Sequence, residues 1–484
     1  MRANVAGFSL IVALLAVFGC TANRPWRANL PVNPDANTER PANLPPISPT
    51  RAYTIETNSA FKIGYVEFDD QGWFWAHNQW KAVKQQISEE FTNDTQGLSI
   101  IVFVHGWKNN ADYDNTNVCM FRSALTNLSL SLGPRKVFGV YVGWRGESIK
   151  SDIFPIPLGE EMSFYHRKDV AERIGHQGSA TQVFTELEMM QDEFNQERKQ
   201  PEARTELIII GHSFGGQLVY SAISQIMIER LVKAARTKNK ERVRSLGDMV
   251  ILLNPAFEAS LYNNLNALAN SEDIVYPPDQ APVLAIFTSK SDWATGLAFP
   301  AGRHLSSWFE AKRPSHGDSE RWLFNVEKLE TKNEKAAIYE SVGHDEDYLN
   351  FDLIYTNYGT GATTPVTSAD ELINPDLKPT PHSVLVENNS QPSLVPKNPY
   401  VFEHDIGLTN YAYLLQPRTN AAYSTNINSR NPFLNAAVDP RIMDGHNDIT
   451  NPRMLQFLQD FILFSRTNYL EQRGGYLKQT LLTH

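Results

Sequence analysis

The fold is decided by one stretch of the chain, Glu206-Leu-Ile-Ile-Ile-Gly-His-Ser-Phe-Gly-Gly216. An apolar run rich in isoleucine leads into a pentapeptide, from Gly211 to Gly215, that fits the pattern G-x-S-x-G. Residues 217–230 then form a long amphipathic stretch without proline or glycine, which is typical of a helix. A strand, a tight turn and a helix in this order present the hydroxyl of Ser213 at the carboxyl end of a parallel sheet.

The glycines on either side of Ser213 have a steric explanation. A serine between the end of a strand and the start of a helix has a strained backbone, and side chains two positions before and after it would collide. Gly211 and Gly215 carry no such side chains. The N-terminus of the following helix directs its amides at the serine, where negative charge would develop during catalysis. A glycine turn in an ordinary βα unit explains the glycines but not the serine between them.

These motifs resemble those of the α/β-hydrolase superfamily of serine esterases and lipases, and Ser213 matches the family's nucleophile. The segment Phe103-Val-His-Gly-Trp107 ends the first central strand and resembles the family's oxyanion loop. The resemblance implies that the backbone N–H groups of Phe214 and Trp107 bind the oxyanion, with Gly106 letting the chain turn inward.

The resemblance also implies an acidic residue just beyond a strand that follows the nucleophile helix. Residues 283–292 supply a buried run, a short polar turn and a carboxylate, so that Asp292 matches this position. Glu258, which follows the turn at Asn254, is the alternative because some members of the family use the preceding strand. Asp292 at this position is also compatible with capping a helix that begins near Trp293.

The catalytic base must come from twelve histidines. His446 lies on a glycine-containing loop between a short strand-like run and the amphipathic stretch 452–466, where the family keeps its base. The order Ser213, Asp292, His446 is also the family's order. His105 and His212 belong to the oxyanion and serine motifs, and His304 and His316 follow Asp292 too closely for another strand to intervene. His344 and His404 lie in a long insertion. The last two remain alternatives.

Buried apolar runs alternate with helical patterns along the central part of the chain. The strands are predicted at 98–104, 137–142, 207–210, 249–253 and 283–287, after a hairpin of 62–68 and 73–75. Helices are predicted at 80–91, 117–132 and 180–199. This alternation predicts an α/β fold with a doubly wound, mostly parallel sheet and a ligand at the carboxyl ends of its strands.

Two insertions interrupt that pattern. The first, at about 145–176, contains prolines and several aromatic residues and predicts a lid or a pocket wall. The second, at about 293–431, separates the last clear strand from the loop of His446, and its polar, proline-rich middle at 359–399 predicts a mobile loop. The hydrolase domain is therefore expected to span 59–484 with insertions at these two places.

The N-terminus has the features of a targeting segment. Arg2 precedes an apolar core that ends in Leu15-Ala-Val-Phe-Gly-Cys20, which resembles a bacterial lipoprotein signal. The resemblance implies a signal peptide at 1–19, a lipidated Cys20 and, because Thr21 follows it, an outer-membrane protein facing the periplasm; an ordinary secretory signal is the alternative. Residues 20–58 are rich in proline, asparagine and arginine, which predicts a flexible tether.

The composition excludes several classes of function. A net charge of −10 without a basic stripe argues against a nucleic-acid partner. No His/Cys cluster has the spacing of a metal site and no glycine-rich phosphate loop occurs, so no metal or cofactor is expected. The sequence therefore predicts a serine hydrolase for small-molecule or lipid carboxylic esters. Alternatives are a lipase, phospholipase or acyltransferase acting on membrane lipids, and a non-catalytic binding protein with the same fold.

Overall fold

The computed structural model describes residues 23–28, 49–93, 95–147, 157–198, 200, 203–236, 242–271, 273–277, 280–300, 334–357, 382–383, 400–406, 409–418 and 431–463. The chain divides into two compact units. The N-terminal unit consists of Met1–Glu197 and Ala203–Ile223, and the C-terminal unit consists of Arg198–Glu202 and Ser224–His484.

The N-terminal unit is built on strands in the order β1-β2-β4-β3-β5. Their bounds are β1 Ile55–Thr57, β2 Phe61–Glu67, β3 Leu98–Val104, β4 Lys136–Gly143 and β5 Glu206–His212. Strand β1 is antiparallel to β2, whereas the pairs β2–β4, β4–β3 and β3–β5 are parallel. All seven residues of β3 are buried, as expected for a strand covered on both faces.

Helices of the N-terminal unit pack closely on both faces of these strands. They are α1 His77–Thr92, α2 Thr116–Leu132, α3 Pro157–His176, α4 Ser179–Glu197 and α5 Phe214–Arg236, the last continuing into the C-terminal unit. A Cβ on Gly64 would lie 2.7 Å from Val83 of α1, and one on Gly139 would lie 2.5 Å from Leu125 of α2. Since Gly139 pairs with Ile63 and not with Gly64, the two glycines point to opposite faces, and α1 and α2 lie on opposite sides.

The C-terminal unit contains the strand order β6-β7-β12-β8-β11-β10-β9. The bounds are β6 Met249–Leu253, β7 Leu284–Ser289, β8 Phe351–Asn357, β9 His382–Ser383, β10 Tyr400–Ile406, β11 Thr409–Pro417 and β12 Phe433–Val438. From β6 to β8 the neighbours are parallel, and from β8 to β9 they are antiparallel. The helices are α6 Ala259–Ala269, α7 Glu334–Tyr339 and α8, residues 452–463.

The predicted fold class is confirmed: this is an α/β fold with a mostly parallel sheet and helices on both faces. The five buried runs are strands, and the predicted helices begin and end within a few residues of the observed ones. The second arm of the predicted N-terminal hairpin was wrong, because 73–75 contributes only an isolated bridge between Phe68 and Phe74. Among the described residues, no helix is both long and apolar enough to cross a bilayer.

No strand was predicted between 293 and 431, yet β8, β9, β10 and β11 all lie there. In β8, Phe351-Asp-Leu-Ile-Tyr-Thr-Asn357 mixes polar and apolar residues, unlike the continuous apolar runs that mark the parallel strands. Most of the proline-rich stretch at 359–399, predicted to be a mobile loop, lies outside the described residues.

Parts of the predicted tether pack against the N-terminal unit. Strand β1 lies within 20–58, and so does Arg27, which is only 1% exposed. The backbone N–H groups of Trp26 and Arg27 each donate to the carboxylate of Glu67 at 2.8 Å. The Arg27 guanidinium donates from Nε to the carbonyl of Ala111 at 2.8 Å and lies 3.9 Å from the ring centre of Tyr65. The predicted signal peptide and Cys20 lie outside the described residues.

Candidate active site

Ser213 occupies the sharp turn between β5 and α5. Its φ angle is +56°, in the left-handed region, which costs a residue other than glycine roughly 1–2 kcal/mol. The residue is 2% exposed. A strained serine at the carboxyl end of a parallel strand, followed at once by a helix N-terminus, has the geometry of a nucleophile elbow.

The two glycines of the elbow are sterically required. A Cβ on Gly211 would lie 2.7 Å from the carbonyl oxygen of Gly215, and a Cβ on Gly215 would lie 2.1 Å from the carbonyl oxygen of Val104. These contacts are with backbone atoms, which cannot turn aside as a flexible side chain can. Glycine at 211 therefore lets the turn close on the start of α5, and glycine at 215 lets the elbow pack against the end of β3.

The predicted oxyanion loop runs beside the serine. A Cβ on Gly106 would lie 2.7 Å from the Cβ of Ser213, so only glycine allows this approach. The loop is tied to the end of β4, because Lys108 N–H donates to the Gly146 carbonyl at 3.1 Å and Gly146 N–H donates to Asn109 at 3.0 Å. The Asn109 amide also donates to the carbonyl of Trp107 at 2.9 Å. These bonds fix the backbone that follows Trp107.

His105 supports the oxyanion loop. Its fully buried ring stacks on Trp144 with a centroid distance of 5.5 Å, and Trp144 N–H donates to Nε2 at 3.1 Å. With Nε2 accepting, the proton lies on Nδ1, which faces the Gly106 carbonyl at 2.9 Å. Burial lowers the pKa of His105 to about 4, so the ring is neutral at pH 7. His212, the other histidine of these motifs, is also buried, and neither was predicted to be the base.

Helix α3, from the first predicted insertion, packs against both residues of the proposed oxyanion hole. The ring of Phe164 lies 5.2 Å from that of Trp107 and 4.7 Å from that of Phe214. One turn further on, the fully buried Arg167 donates to Asp70 at 2.7 Å and to the Arg145 carbonyl at 2.9 Å. These contacts favour a fixed wall over a mobile lid.

The charges around Asp70 strengthen this attachment. Burial alone would raise the pKa of Asp70, but hydrogen bonds from Arg167 and Arg145 hold it below its usual value. The carboxylate is therefore ionised at neutral pH and accepts from two guanidinium groups. Removing it would leave the guanidinium of Arg167 buried without its anionic partner, which is costly.

In the C-terminal unit, the structure brings Asp292 and His446 together. Asp292 lies three residues after β7 and is 2% exposed, and His446 lies on the loop after β12. Nδ1 of His446 is 2.8 Å from Oδ2 of Asp292. The other carboxylate oxygen accepts from the N–H groups of Ala294 at 2.9 Å and Thr295 at 3.2 Å. Burial alone would raise the pKa of Asp292. The hydrogen bond from His446, the charge of His446 and the hydrogen bonds from Thr295 together lower the pKa of Asp292 below its usual value.

Asn254 holds the loop of His446, and sequence reasoning missed this role. At the end of β6, with φ +43°, its side-chain amide donates to the carbonyls of Gly445 at 3.2 Å and His446 at 2.9 Å. Its Oδ1 accepts from Ser289 N–H, at the end of β7, at 2.9 Å. In the sequence, Asn254 directly follows a buried strand, and this position predicts a turn but not the hydrogen bonds to the loop of His446.

The alternatives to Asp292 and His446 do not take part in the hydrogen bond between these two residues. Glu258 precedes α6, and its backbone pairs with Ser341 in an isolated bridge. His344 lies 3.0 Å from Oγ1 of Thr295, so it reaches Asp292 only through that hydroxyl. His404 lies in β10, and His304 and His316 lie outside the described residues.

Comparison with known families agrees with this fold. Residues 80–301 match the model of a family described as an alpha/beta hydrolase of unknown function (DUF900). This protein belongs to the α/β-hydrolase superfamily. The matched segment includes Ser213 and Asp292 but ends before His446. No curated protein and no solved structure matches the chain significantly.

In this α/β hydrolase, Ser213 and the proposed oxyanion donors belong to the N-terminal unit, whereas Asp292 and His446 belong to the C-terminal unit. Within the described part of the chain, no group of three or more His, Cys, Asp or Glu side chains is arranged to hold a metal ion.

Proposed function

We propose that this α/β hydrolase is a serine hydrolase that cleaves carboxylic esters through an acyl-enzyme intermediate. The observation that carries the proposal is the buried carboxylate of Asp292 at 2.8 Å from Nδ1 of His446, on the loop where the sequence places the base. The strained backbone of Ser213 supports it, because left-handed residues other than glycine cluster at active sites.

In the first half of the proposed reaction, Oγ of Ser213 attacks the ester carbonyl carbon while Nε2 of His446 takes its proton. The N–H groups of Phe214 and Trp107 bind the negative oxygen of the tetrahedral intermediate. When that intermediate collapses, the bond to the alcohol oxygen breaks and His446 gives its proton to the departing alcohol. The acyl group remains on Ser213.

In the second half, a water molecule gives a proton to Nε2 of His446 and attacks the acyl carbon. Collapse of this second intermediate returns the proton to Oγ of Ser213 and releases the carboxylic acid. Asp292 keeps its charge throughout, since its pKa lies below the usual value. It holds the proton of the neutral imidazole on Nδ1 and stabilises the imidazolium that forms in both halves.

Covalent labelling tests this function directly. A fluorophosphonate probe should label the wild-type chain on one serine, and Ser213→Ala should abolish both labelling and the hydrolysis of p-nitrophenyl esters. Ser213→Ala and His446→Ala should each lower kcat/KM by on the order of 10⁴-fold or more, because nucleophile and base act as one unit.

The matched control is Ser123→Ala on α2, whose exposed hydroxyl donates to the backbone carbonyl of Cys119 in its own helix. This variant should label and turn over as the wild type does. An unlabelled wild-type chain that is folded by circular dichroism would favour the non-catalytic binding protein.

Soluble esters are proposed as the preferred substrates over membrane lipids. A lipase that opens at an interface needs a lid that can move away, and here α3 is attached by the ion pair of the buried Arg167 with the partly buried Asp70. A chain-length series of p-nitrophenyl esters, run beside phospholipid vesicles, tests this. Activity on short chains without a jump at the vesicle surface is expected, and a large jump would favour the lipase or phospholipase.

The sequence also supports a proposed location in the bacterial cell envelope, with a lipid on Cys20 and the hydrolase facing the periplasm at the outer membrane. Metabolic labelling with palmitate should mark the wild-type chain and not Cys20→Ser. If Cys20→Ser fractionates with the membranes as the wild type does, the proposed anchor is wrong.

A further inference from the structure

Asp292 makes a second side-chain contact, apart from the one with His446. Its Oδ2 lies 2.5 Å from Oγ1 of Thr295, and the same hydroxyl lies 3.0 Å from Nε2 of His344. The carboxylate oxygen that accepts from His446 is therefore also one end of a series of hydrogen bonds that passes through Thr295 to His344. The proposed mechanism gives neither of these two residues a role.

The acceptors in this series of hydrogen bonds determine where its protons lie. Asp292 is ionised and can only accept, so the hydroxyl hydrogen of Thr295 points at Oδ2. The Thr295 oxygen is then free to accept, and Nε2 of His344 must supply the proton. Burial lowers the pKa of His344, which keeps its ring neutral, and the hydrogen bond to Thr295 requires its one proton on Nε2. All hydrogen bonds therefore run in one direction, toward the carboxylate.

The backbone around Thr295 holds this series of hydrogen bonds in place. Residues Ala294–Ala298 form a π-helix, a rare element that is common at functional sites. A Cβ on Gly296 would lie 3.1 Å from Cε1 of His344, so the π-helix backbone packs directly on the imidazole ring. A Cβ on Gly343 would lie 1.8 Å from Oγ1 of Thr288, so the turn carrying His344 packs even more closely on β7.

We propose that Thr295 and His344 are positioning residues for Asp292. The hydroxyl of Thr295 fixes the carboxylate so that Oδ2 faces Nδ1 of His446, and His344 fixes the hydroxyl. This inference rests on the proposed function, because positioning Asp292 matters for catalysis only if His446 is the base. A fixed carboxylate orients the imidazole before substrate arrives, so that its loss lowers kcat and leaves substrate binding unchanged.

A pair of substitutions at Thr295 tests the proposal. Thr295→Val keeps the shape of the side chain but removes the hydroxyl, and Thr295→Ser keeps the hydroxyl. With enzyme concentration set by fluorophosphonate titration, we expect Thr295→Val to lower kcat for a p-nitrophenyl ester about tenfold with KM unchanged, as for one hydrogen bond to a charged group. Thr295→Ser should stay within about twofold of the wild type.

The role of His344 is tested by coupling. His344→Leu should lower kcat about threefold alone and add nothing to Thr295→Val, because it acts only through that hydroxyl. A purely structural role predicts lower melting temperatures with normal kcat per titrated site, which would overturn the inference. Independent, multiplying effects of the two substitutions would also overturn it. Failure of the proposed function is distinct, since the wild-type chain would then stay unlabelled or Ser213→Ala would leave the labelling intact.

Discussion

The elbow of Ser213 and the pair of Asp292 and His446 are held by different kinds of interaction. The elbow depends on backbone geometry: a left-handed φ and glycines whose added Cβ atoms would lie 2.1–2.7 Å from neighbouring atoms. The pair depends on side-chain hydrogen bonds between segments 154 residues apart in sequence. The first is therefore sensitive to any added carbon atom, and the second to any lost polar group.

Of the substitutions that distinguish the two regions, one at Asp292 is expected to lower activity most. Asp292→Asn keeps the size of the side chain but places an amide against Nδ1 of His446, which favours the wrong tautomer. We expect kcat/KM to fall on the order of 10³-fold or more. Glu258→Gln, at the alternative acid, should change it by less than about threefold. A larger loss from Glu258→Gln than from Asp292→Asn, measured on the same ester, would reverse the assignment.

Added volume should damage the elbow. Gly215→Ala places a methyl group against the Val104 carbonyl and displaces the N–H of the adjacent Phe214, so we expect kcat/KM to fall about 10²-fold. The matched control is Gly133→Ala at the end of α2, where φ is +66° and a Cβ would meet nothing within 4 Å. The control should lose about 1–3 kcal/mol of stability, because this backbone conformation is strained for alanine, and no activity per titrated site. Equal activity losses in both variants would argue that the elbow is not specially tight.

A smaller effect is expected where the loop of His446 is held. Asn254→Asp tolerates the left-handed backbone but can no longer donate to the carbonyls of Gly445 and His446. The loop should loosen, and kcat should fall about tenfold with KM unchanged. Steady-state kinetics normalised by probe titration measure this. A normal kcat would show that the bond of His446 to Asp292 is enough to hold the loop.

The smallest effect concerns stability at low pH. Because the folded state lowers the pKa of Asp292 below the ordinary 3.8, its contribution is present above that value and is lost as pH falls through the lower folded pKa. Urea unfolding between pH 6 and pH 2.5 should show stability falling below about pH 4. Asp292→Asn should fall less steeply. Parallel curves for the two proteins would contradict the lowered pKa.

Residues that are contiguous in sequence were the predictable part of this molecule. The apolar runs of β3, β5 and β6 and the motif of Ser213 each carry their signal within about ten residues. The pairing of Asp292 with His446 was predicted by a family resemblance, and the hydrogen bond between them agrees with it. Neither the local patterns nor the family resemblance requires knowledge of how distant segments pack.

What sequence reasoning missed depends on such packing. The half-polar strand β8 is stabilised by neighbours that the local pattern does not reveal. Asn254 and His344 gain their roles from loops far away in the chain, and one residue among many polar ones gives no periodic signal. The average composition of 20–58 predicted a tether, because composition does not reveal that the backbone N–H of Arg27 donates to the carboxylate of Glu67.

The burial of Arg27 decides where a shortened version of this protein can start. A fragment beginning at residue 59, the predicted domain boundary, would lack the two backbone amides that bind the carboxylate of Glu67, which is 3% exposed, and the cation stacked on Tyr65. It would also lack β1, leaving the edge of β2 unpaired. Recombinant fragments should therefore begin before residue 23, and those that begin later should express poorly or aggregate.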